Sequence, residues 1–472
     1  MVARVLPGLA LVAGAACAKG EAISFDLVIA NGRVIDPASG LDATRHIGIR
    51  RGTVAAISEV PLEGARVIDA TGHVVSPGFV DLHEHGQNEA SYAMMVRDGV
   101  TTALELEAGT ADVAEWYAAR DSGQIVNFGV SVGHIPARMR VLGDPSDRKD
   151  ILPSGVGGTG AATPAQVDSM EAILRKGLAE GAVAVGAGSA YTTGASMQEV
   201  ERMFRVAAAG GASVHIHMRN GPAGLDSTIA VAKAAGAWLH IVHVNSSGGD
   251  SLTAFLAKIK AAQDAGQDVT TEAYPYGAGM TSIQSAIYDN WESWPDERFG
   301  TVQLVSTGER LTRATFAKAR AAGGTIIQHS RSEEQTRAAI LSPLTMIASD
   351  GFIQDGRGHP RTSGSYAKVL GKYVRDEQGL TLMDALRKMT ILPAQRLEAR
   401  VPAMKNKGRL QVGADADLTI FDPATVIDRA TYEDATIPSA GIPYVIVGGA
   451  VVVDGGQVTS ARPGRAIRAS IR

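Results

Sequence analysis

At 472 residues the chain exceeds the size at which a single core usually stops growing, so one large barrel or two domains are expected. A hydrophobic content of 45%, a charged content of 20% and a formal charge of -4 describe a globular protein. They exclude a generally basic nucleic-acid-binding surface and a strong acidic field. No apolar run reaches the roughly 18 residues needed to span a bilayer, and the single cysteine, Cys17, excludes an intrachain disulfide and a cysteine-rich zinc module.

Residues 1–22 carry Arg4, an apolar run from Val5 to Ala16 and the small-residue site Ala16-Cys17-Ala18. This is the pattern of an export signal and predicts a periplasmic or secreted protein; the alternative is a cytoplasmic protein with an N-terminal extension. Residues 24–76 hold short apolar segments such as Phe25 to Ile29 and His46 to Ile49, punctuated by Asn31-Gly32 and Arg51-Gly52 turns. The same texture returns near the C-terminus in Ala416 to Pro423 and Tyr444 to Gly456. One small β-sandwich domain, built from residues 23–76 and 401–472, is therefore expected.

The middle, 77–400, alternates apolar strands with amphipathic helical stretches, the pattern of a parallel α/β sheet. Strands are expected at 79–83, 101–107, 126–133, 182–188, 213–217, 238–243, 268–274 and 344–350. Eight such units predict a (β/α)8 TIM-like barrel with its site at the C-terminal strand ends. Residues 280–343, with Trp291, Trp294 and an extra apolar strand Thr325-Ile326-Ile327, exceed an ordinary connection and predict a lid-like insertion.

The strand ends carry the chemistry. In Pro77-Gly78-Phe79-Val80-Asp81-Leu82-His83-Glu84-His85, the alternation of a strand puts His83 and His85 on one side and Glu84 on the other. Two converging imidazoles are a natural start for a divalent metal site, and Glu84 reads as structural. Glu105 and Glu107 share a face at the end of the second strand, where a carboxylate can bridge two ions. His215 and His217 end the fifth strand, and His240 and His243 lie on the sixth, three apart, so only one of the latter pair is expected to face the barrel. His215 and His240 are expected to be structural, with His240 toward the helix layer. His134 either lines the pocket or caps a loop, and His46, His73 and His329 carry no ligand argument. The eighth strand ends in Ser349-Asp350-Gly351. Together these residues suit hydrolysis: one or two Zn2+ ions would acidify a water and polarise a carbonyl, with Asp350 as the catalytic base that then protonates the departing nitrogen.

These segments resemble the amidohydrolase superfamily, and within it the N-acyl-D-amino-acid deacylases, in their D-glutamate deacylase-like branch. The resemblance covers nearly all of the chain after the leader. It runs from Asn31-Gly32-Arg33-Val34-Ile35-Asp36-Pro37 through the Pro77 to His85 strand and Gly99-Val100-Thr101-Thr102. It continues with Glu272-Ala273-Tyr274-Pro275-Tyr276, Ser349-Asp350-Gly351 and His359-Pro360-Arg361, and closes at Ala461 to Arg465. It implies metal ligation by His83, His85, His217, His243 and Asp350. Where the deacylases carry a cysteine ligand after the second strand, this chain has Leu104-Glu105-Leu106-Glu107, so Glu107 is the expected replacement and Glu105 the second choice. The fourth strand, Val183 to Gly188, contains no lysine to bridge the metals. For the substrate, the resemblance implies a carboxylate clamp at Arg361 and a pocket tyrosine at Tyr191, with Arg219 and Tyr276 nearby; Asn245 stands where relatives often carry a lysine.

The leading expectation is a metal-dependent hydrolase of the linear amide of N-acyl-D-amino acids, including acidic ones such as N-acyl-D-glutamate. A cyclic-amide or dipeptide hydrolase on the same scaffold is the enzymatic alternative, and a catalytically silent binding or assembly protein the non-enzymatic one. The expected partner is a small-molecule substrate, with a homo-oligomer allowed, no nucleic acid and no membrane span.

Overall fold

Strands from the two ends of the chain pair with one another. The computed structural model describes residues 1–2, 24–219 and 221–471, so Cys17 and almost all of the expected leader lie outside the described residues. The central strand of the β domain, Phe25–Asp36, pairs antiparallel with Leu41–Arg50 and parallel with both Gly64–Asp69 and Val74–Pro77. Val74–Pro77 in turn pairs with Leu418–Phe421, which leads through Tyr444–Val447 and Ala450–Asp454 to Gln457–Val458. A register break between Ile29 and Gly32, where Asn31 takes a left-handed φ of 62°, interrupts the central strand. Leu27, Ile47 and Ile68 share one apolar cluster with Leu418, Ile420 and Ile446. The two layers expected of a sandwich are thus one nine-stranded hydrogen-bonded sheet closing on its own core.

The barrel strands are Phe79–Asp81, Val100–Thr110, Asn127–Gly133, Val185–Gly188, Ser213–His217, Trp238–Ile241, Val269–Ala273 and Thr345–Ile347, hydrogen-bonded in that order and all parallel. The circle is completed by a bridge between Glu84 and Gly351, with the Asp350 amide donating to the His83 carbonyl at 2.6 Å. Buried on both faces, such strands are near-continuous apolar runs. Val214, Ile216, Leu239 and Ile241 pack outward in one cluster with Met203, Phe204 and Leu225 of the surrounding helices. Capping boxes start several helices, among them Pro164–Ala179, opened by Thr163 with Gln166, and Glu333–Leu341, opened by Ser332 with Gln335. The chain is therefore a (β/α)8 barrel carrying a β domain.

The segment expected as an insertion divides in two. Ala278–Ser282, Val302–Leu304 and Thr325–His329 form an antiparallel sheet over an aromatic core of Tyr288, Trp294, Phe299 and Phe316. The helix Glu333–Leu341 instead returns Ala339 and Ile340 to the main core and leads into the eighth strand. Among the described residues no helix is long and apolar enough to cross a membrane.

Candidate metal centre

Four side chains from three strand ends meet just beyond the first strand. His83 Nε2 and His85 Nε2 lie 3.1 Å apart. Glu107 Oε2 is 2.6 Å from the first and 3.3 Å from the second, and Asp350 Oδ1 is 3.4 Å from both. The other oxygen of the same carboxylate, Glu107 Oε1, lies 3.0 Å from His217 Nδ1, which is 3.0 Å from His243 Nε2. Two clusters that could each hold a metal ion therefore share Glu107: His83, His85, Glu107 and Asp350 in one, Glu107, His217 and His243 in the other.

Backbone irregularities aim two of these groups. The second strand pairs Glu105 with Val130 but Thr110 with Val132, so extra residues bulge out between them, as is common beside active sites. The bulge separates the two glutamates: Glu107 enters between the imidazoles, while Glu105 Oε2 takes His85 Nδ1 at 2.6 Å and its other oxygen accepts the Ala108 amide at 2.9 Å. Of the two candidates for the shared position, Glu107 has the geometry. Gly186 on the fourth strand makes room, since a Cβ there would sit 2.3 Å from the Glu107 carbonyl oxygen.

On the sixth strand the expectation is corrected. His240 and His243 both face the interior, because the strand ends at Ile241 and His243 adopts a left-handed φ of 32°, beyond the reach of strand alternation. His240 pairs in register with His215, their rings 4.5 Å apart, and its Nε2 reaches Glu272 Oε2 at 3.0 Å. Glu272 Oε1 in turn binds His83 Nδ1 at 2.5 Å. Each imidazole of the first pair thus has a carboxylate behind it, an arrangement that fixes the tautomer and raises ligand basicity.

The electrostatics follow from this crowding. Burial pushes the His83 imidazole down, but Asp350, Glu272 and Glu107 outweigh it and hold its pKa well above the ordinary value. His85 rises likewise against burial, chiefly through Glu105. Burial opposes ionisation of Asp350, yet the guanidinium of Arg361, whose NH1 is 2.8 Å from Oδ2, and the His83 ring beyond it hold the carboxyl well below its usual range. His243 is pushed down to about 3 by burial and by His217, so it is a neutral ring with a free lone pair. Burial pushes Asp81 up to about 7 and Glu84 well above its usual range.

The donor set fits a divalent cation. Pairs of ring nitrogens facing each other at about 3 Å, with carboxylate oxygens between them, present converging lone pairs that only a proton or a cation can satisfy. All are nitrogen and oxygen donors without a thiolate, and imidazole with carboxylate suits zinc as well as other first-row ions.

Two cavities open from the cluster. One of about 990 Å³ is lined by His217, His243 and Asp350 together with Tyr274, Tyr276 and Arg331. The other, of about 670 Å³, reaches His85 and Glu107 and is lined by Ile151, Leu152, Phe352 and Ile353 together with the charged Arg148, Lys149 and Asp150. Tyr191, Met280, Thr281 and Asp350 line both.

Among the residues expected to meet substrate, Tyr191 stands at this junction, its ring 4.5 Å from that of His217. Tyr276 lines the larger cavity and donates its hydroxyl to Asp428 at 3.0 Å. Three others are corrected. Arg361 is fully buried and does not line either cavity: its charge is taken up by Asp350, its amide donates to His359 Nδ1, and its guanidinium lies 4.6 Å from the Tyr274 ring centre. Arg219 points outward to a separate cavity of about 300 Å³ and donates to the Ala195 carbonyl at 2.5 Å. Asn245 is also fully buried, its amide donating to the Tyr274 carbonyl at 3.0 Å. His134 belongs to a buried network, with Glu199 Oε1 2.8 Å from its Nε2 and 2.5 Å from Arg138 NH1. Sequence reasoning missed the role of Glu272, although its place on the interior face two residues before Tyr274 was a usable signal. It missed Arg331 altogether, which sits in the short irregular loop between Thr325–His329 and Glu333–Leu341, without any periodicity.

Known proteins resemble this chain over most of its length. Residues 146–453 match the model of an amidohydrolase family. N-acyl-D-glutamate deacylase of Alcaligenes xylosoxydans xylosoxydans is 32% identical over 94% of this chain and 96% of its own length. D-aminoacylase from the same source is 29% identical over 95% and 99%. Among solved structures, the N-acyl-D-glutamate deacylase of Bordetella bronchiseptica, complexed with zinc and a phosphonate mimic of the tetrahedral intermediate, superposes with a TM-score of 0.82. It is 29% identical, and the match covers 94% of this chain and 100% of that one.

Proposed function

The chain belongs to the amidohydrolase family, and from that premise we propose that it is a metal-dependent deacylase of N-acyl-D-amino acids, releasing a carboxylate and a free D-amino acid. The relatives matched over nearly their whole lengths are an N-acyl-D-glutamate deacylase, a D-aminoacylase and an N-acyl-D-aspartate deacylase, which favours a linear amide and an acidic amino acid among those accepted. The single observation that carries the reading is the pair of buried clusters joined by Glu107 at the meeting point of two cavities.

In this reading His83, His85, Glu107 and Asp350 hold one ion, Glu107, His217 and His243 a second, and zinc is the expected metal. The chemistry such an ion would supply when bound is acidification of a water and polarisation of the amide carbonyl. The residues of the chain do the rest. Asp350, kept ionised by Arg361, accepts a proton from the attacking water on its carboxylate and hands it to the departing nitrogen, which without it is a poor leaving group. Burial holds the Tyr191 hydroxyl well above its usual pKa, so it stays a donor toward a carbonyl oxygen at the junction of the cavities. Glu105 and Glu272 hold the imidazoles by their other nitrogens. The apolar side chains lining the smaller cavity suit the acyl group, which leaves the larger cavity to the amino-acid half.

The test is metal analysis of the purified protein with a panel of N-acyl-D- and N-acyl-L-amino acids, assayed with and without chelator. Turnover is expected on D-substrates, lost with chelator and in Asp350→Asn. Absence of bound metal, or turnover indifferent to Asp350→Asn, overturns the mechanism; turnover of L-substrates alone keeps the chemistry and removes the D-amino-acid assignment.

A further inference from the structure

Arg331 is a cation without an anion. It lies half-buried in the wall of the larger cavity, in the same lining as His217, His243 and Asp350. Its NH1 donates to Ser246 Oγ at 3.2 Å, and its NH2 to Tyr274 Oη at 2.6 Å and the Tyr276 carbonyl at 3.4 Å. All three partners are neutral, and Nε is buried without a hydrogen-bond partner. No ion pair to Arg331 forms among the described residues. Of the acids sharing this wall, Asp428 has Tyr276 and Lys368, Glu333 has Lys372 and Tyr373, and Asp350 has Arg361, while Glu297 is exposed and forms no ion pair with Arg331. Arg361 and Arg138, by contrast, are each matched to a carboxylate. A partly desolvated guanidinium held in one orientation by neutral acceptors is prepared for an anion delivered through the cavity.

The position suits one half of the substrate. The Arg331 guanidinium lies 5.2 Å from the Tyr274 ring centre, and that ring lies 6.4 Å from the His243 ring, so the cation is one side chain removed from the second metal cluster. Arg361, the residue expected to meet a carboxylate, is paired with Asp350, and Asn245 is turned to the Tyr274 carbonyl; neither lines the cavity wall. We propose that Arg331, supported by Tyr274 and Ser246, binds a carboxylate of the amino-acid half of the substrate. This rests on the deacylase reading, and the carboxylate is either the α-carboxylate or that of an acidic side chain.

Steady-state kinetics of the metal-loaded wild type, Arg331→Met and Arg331→Lys separate these sources. N-acetyl-D-methionine and its carboxamide test the α-carboxylate; N-acetyl-D-glutamate and N-acetyl-D-glutamine test the side chain. Arg331→Met is expected to raise KM roughly 10- to 100-fold for whichever carboxylate it binds, with kcat little changed and the matched amide unaffected, and Arg331→Lys to recover part of the loss. An equal effect on carboxylate and amide in both pairs, or no effect in either, overturns the proposal while leaving the deacylase reading intact. Should the wild type hydrolyse none of the panel, the deacylase reading falls, and calorimetric titration with succinate decides for Arg331. Binding lost in Arg331→Met upholds a carboxylate site, and binding equal to wild type overturns it.

Discussion

Glu272→Gln is the sharpest test of the site's architecture, because it exchanges one atom at a residue that touches no substrate. In the native arrangement Glu272 accepts from two rings at once, His83 Nδ1 at 2.5 Å and His240 Nε2 at 3.0 Å. Both rings must then carry a proton on the nitrogen facing Glu272, which leaves His83 Nε2, aimed at His85, Glu107 and Asp350, as the nitrogen that gives up its proton to a metal. A glutamine offers one acceptor and one donor. Whichever way it flips, one ring meets an N–H, and if that ring is His83 its proton moves to Nε2 and occupies the lone pair needed for a metal. Losing such a supporting carboxylate lowers metal affinity by roughly 10- to 100-fold, which corresponds to about 1.4 to 2.8 kcal/mol. The assay is competition for zinc against a chromogenic chelator, with far-UV circular dichroism and thermal unfolding of the metal-free proteins as controls. Unchanged affinity, or a loss matched by collapse of the metal-free fold, refutes the argument that Glu272 acts by fixing the His83 tautomer.

Two further changes probe how the barrel supports the site. Glu199→Gln removes the charge opposite the fully buried Arg138, and breaking such a pair costs about 3–5 kcal/mol; the unfolding midpoint in denaturant reads it. Burial alone would raise the Glu199 pKa, but His134 and Arg138 lower it. Its contribution is therefore full above the unfolded value of about 4.3 and fades as pH falls through the lower folded value, so wild type and variant converge only in acid. Gly186→Ala places a methyl 2.3 Å from the Glu107 carbonyl and 2.6 Å from Ser131 Oγ, an overpacking worth about 1–3 kcal/mol. It is expected to lower both the unfolding midpoint and the zinc content per chain, and full zinc content with native stability would contradict the stated role of Gly186.

The barrel was legible because short strands with an apolar face toward the helices alternate with helical stretches: the third strand, expected at 126–133, runs Asn127–Gly133, and the fifth, expected at 213–217, runs Ser213–His217. His83 and His85 were legible for the same reason, since a single periodicity governs both. Legibility fails where the backbone leaves that periodicity. His240 faces inward in register with His215, and the left-handed φ at His243 breaks the alternation so that the second ring enters the barrel as well. The bulge after Glu105 parts two glutamates that alternation would keep together. Arg361 illustrates a different limit, because nothing in a motif says that its carboxylate partner is Asp350 of the chain itself.

Those departures have a common electrostatic consequence. They bring Glu105, Glu107, Glu272 and Asp350 around His83 and His85 in a space where none of the four carboxylates is more than 7% exposed, with the guanidinium of Arg361 set on Asp350. Buried carboxylates at that density must be balanced. The pull on His83 from Asp350, Glu272 and Glu107 is the signature of that demand: the field that makes its imidazole hold a proton also makes it a strong donor to a cation. Proton and metal compete for the same lone pairs, so metal uptake at this centre is coupled to proton release. The second cluster is built differently, since burial and His217 leave His243 neutral with its lone pair free. Glu107 therefore joins two unlike halves, one in which a cation displaces protons and one in which it meets a ring already deprotonated.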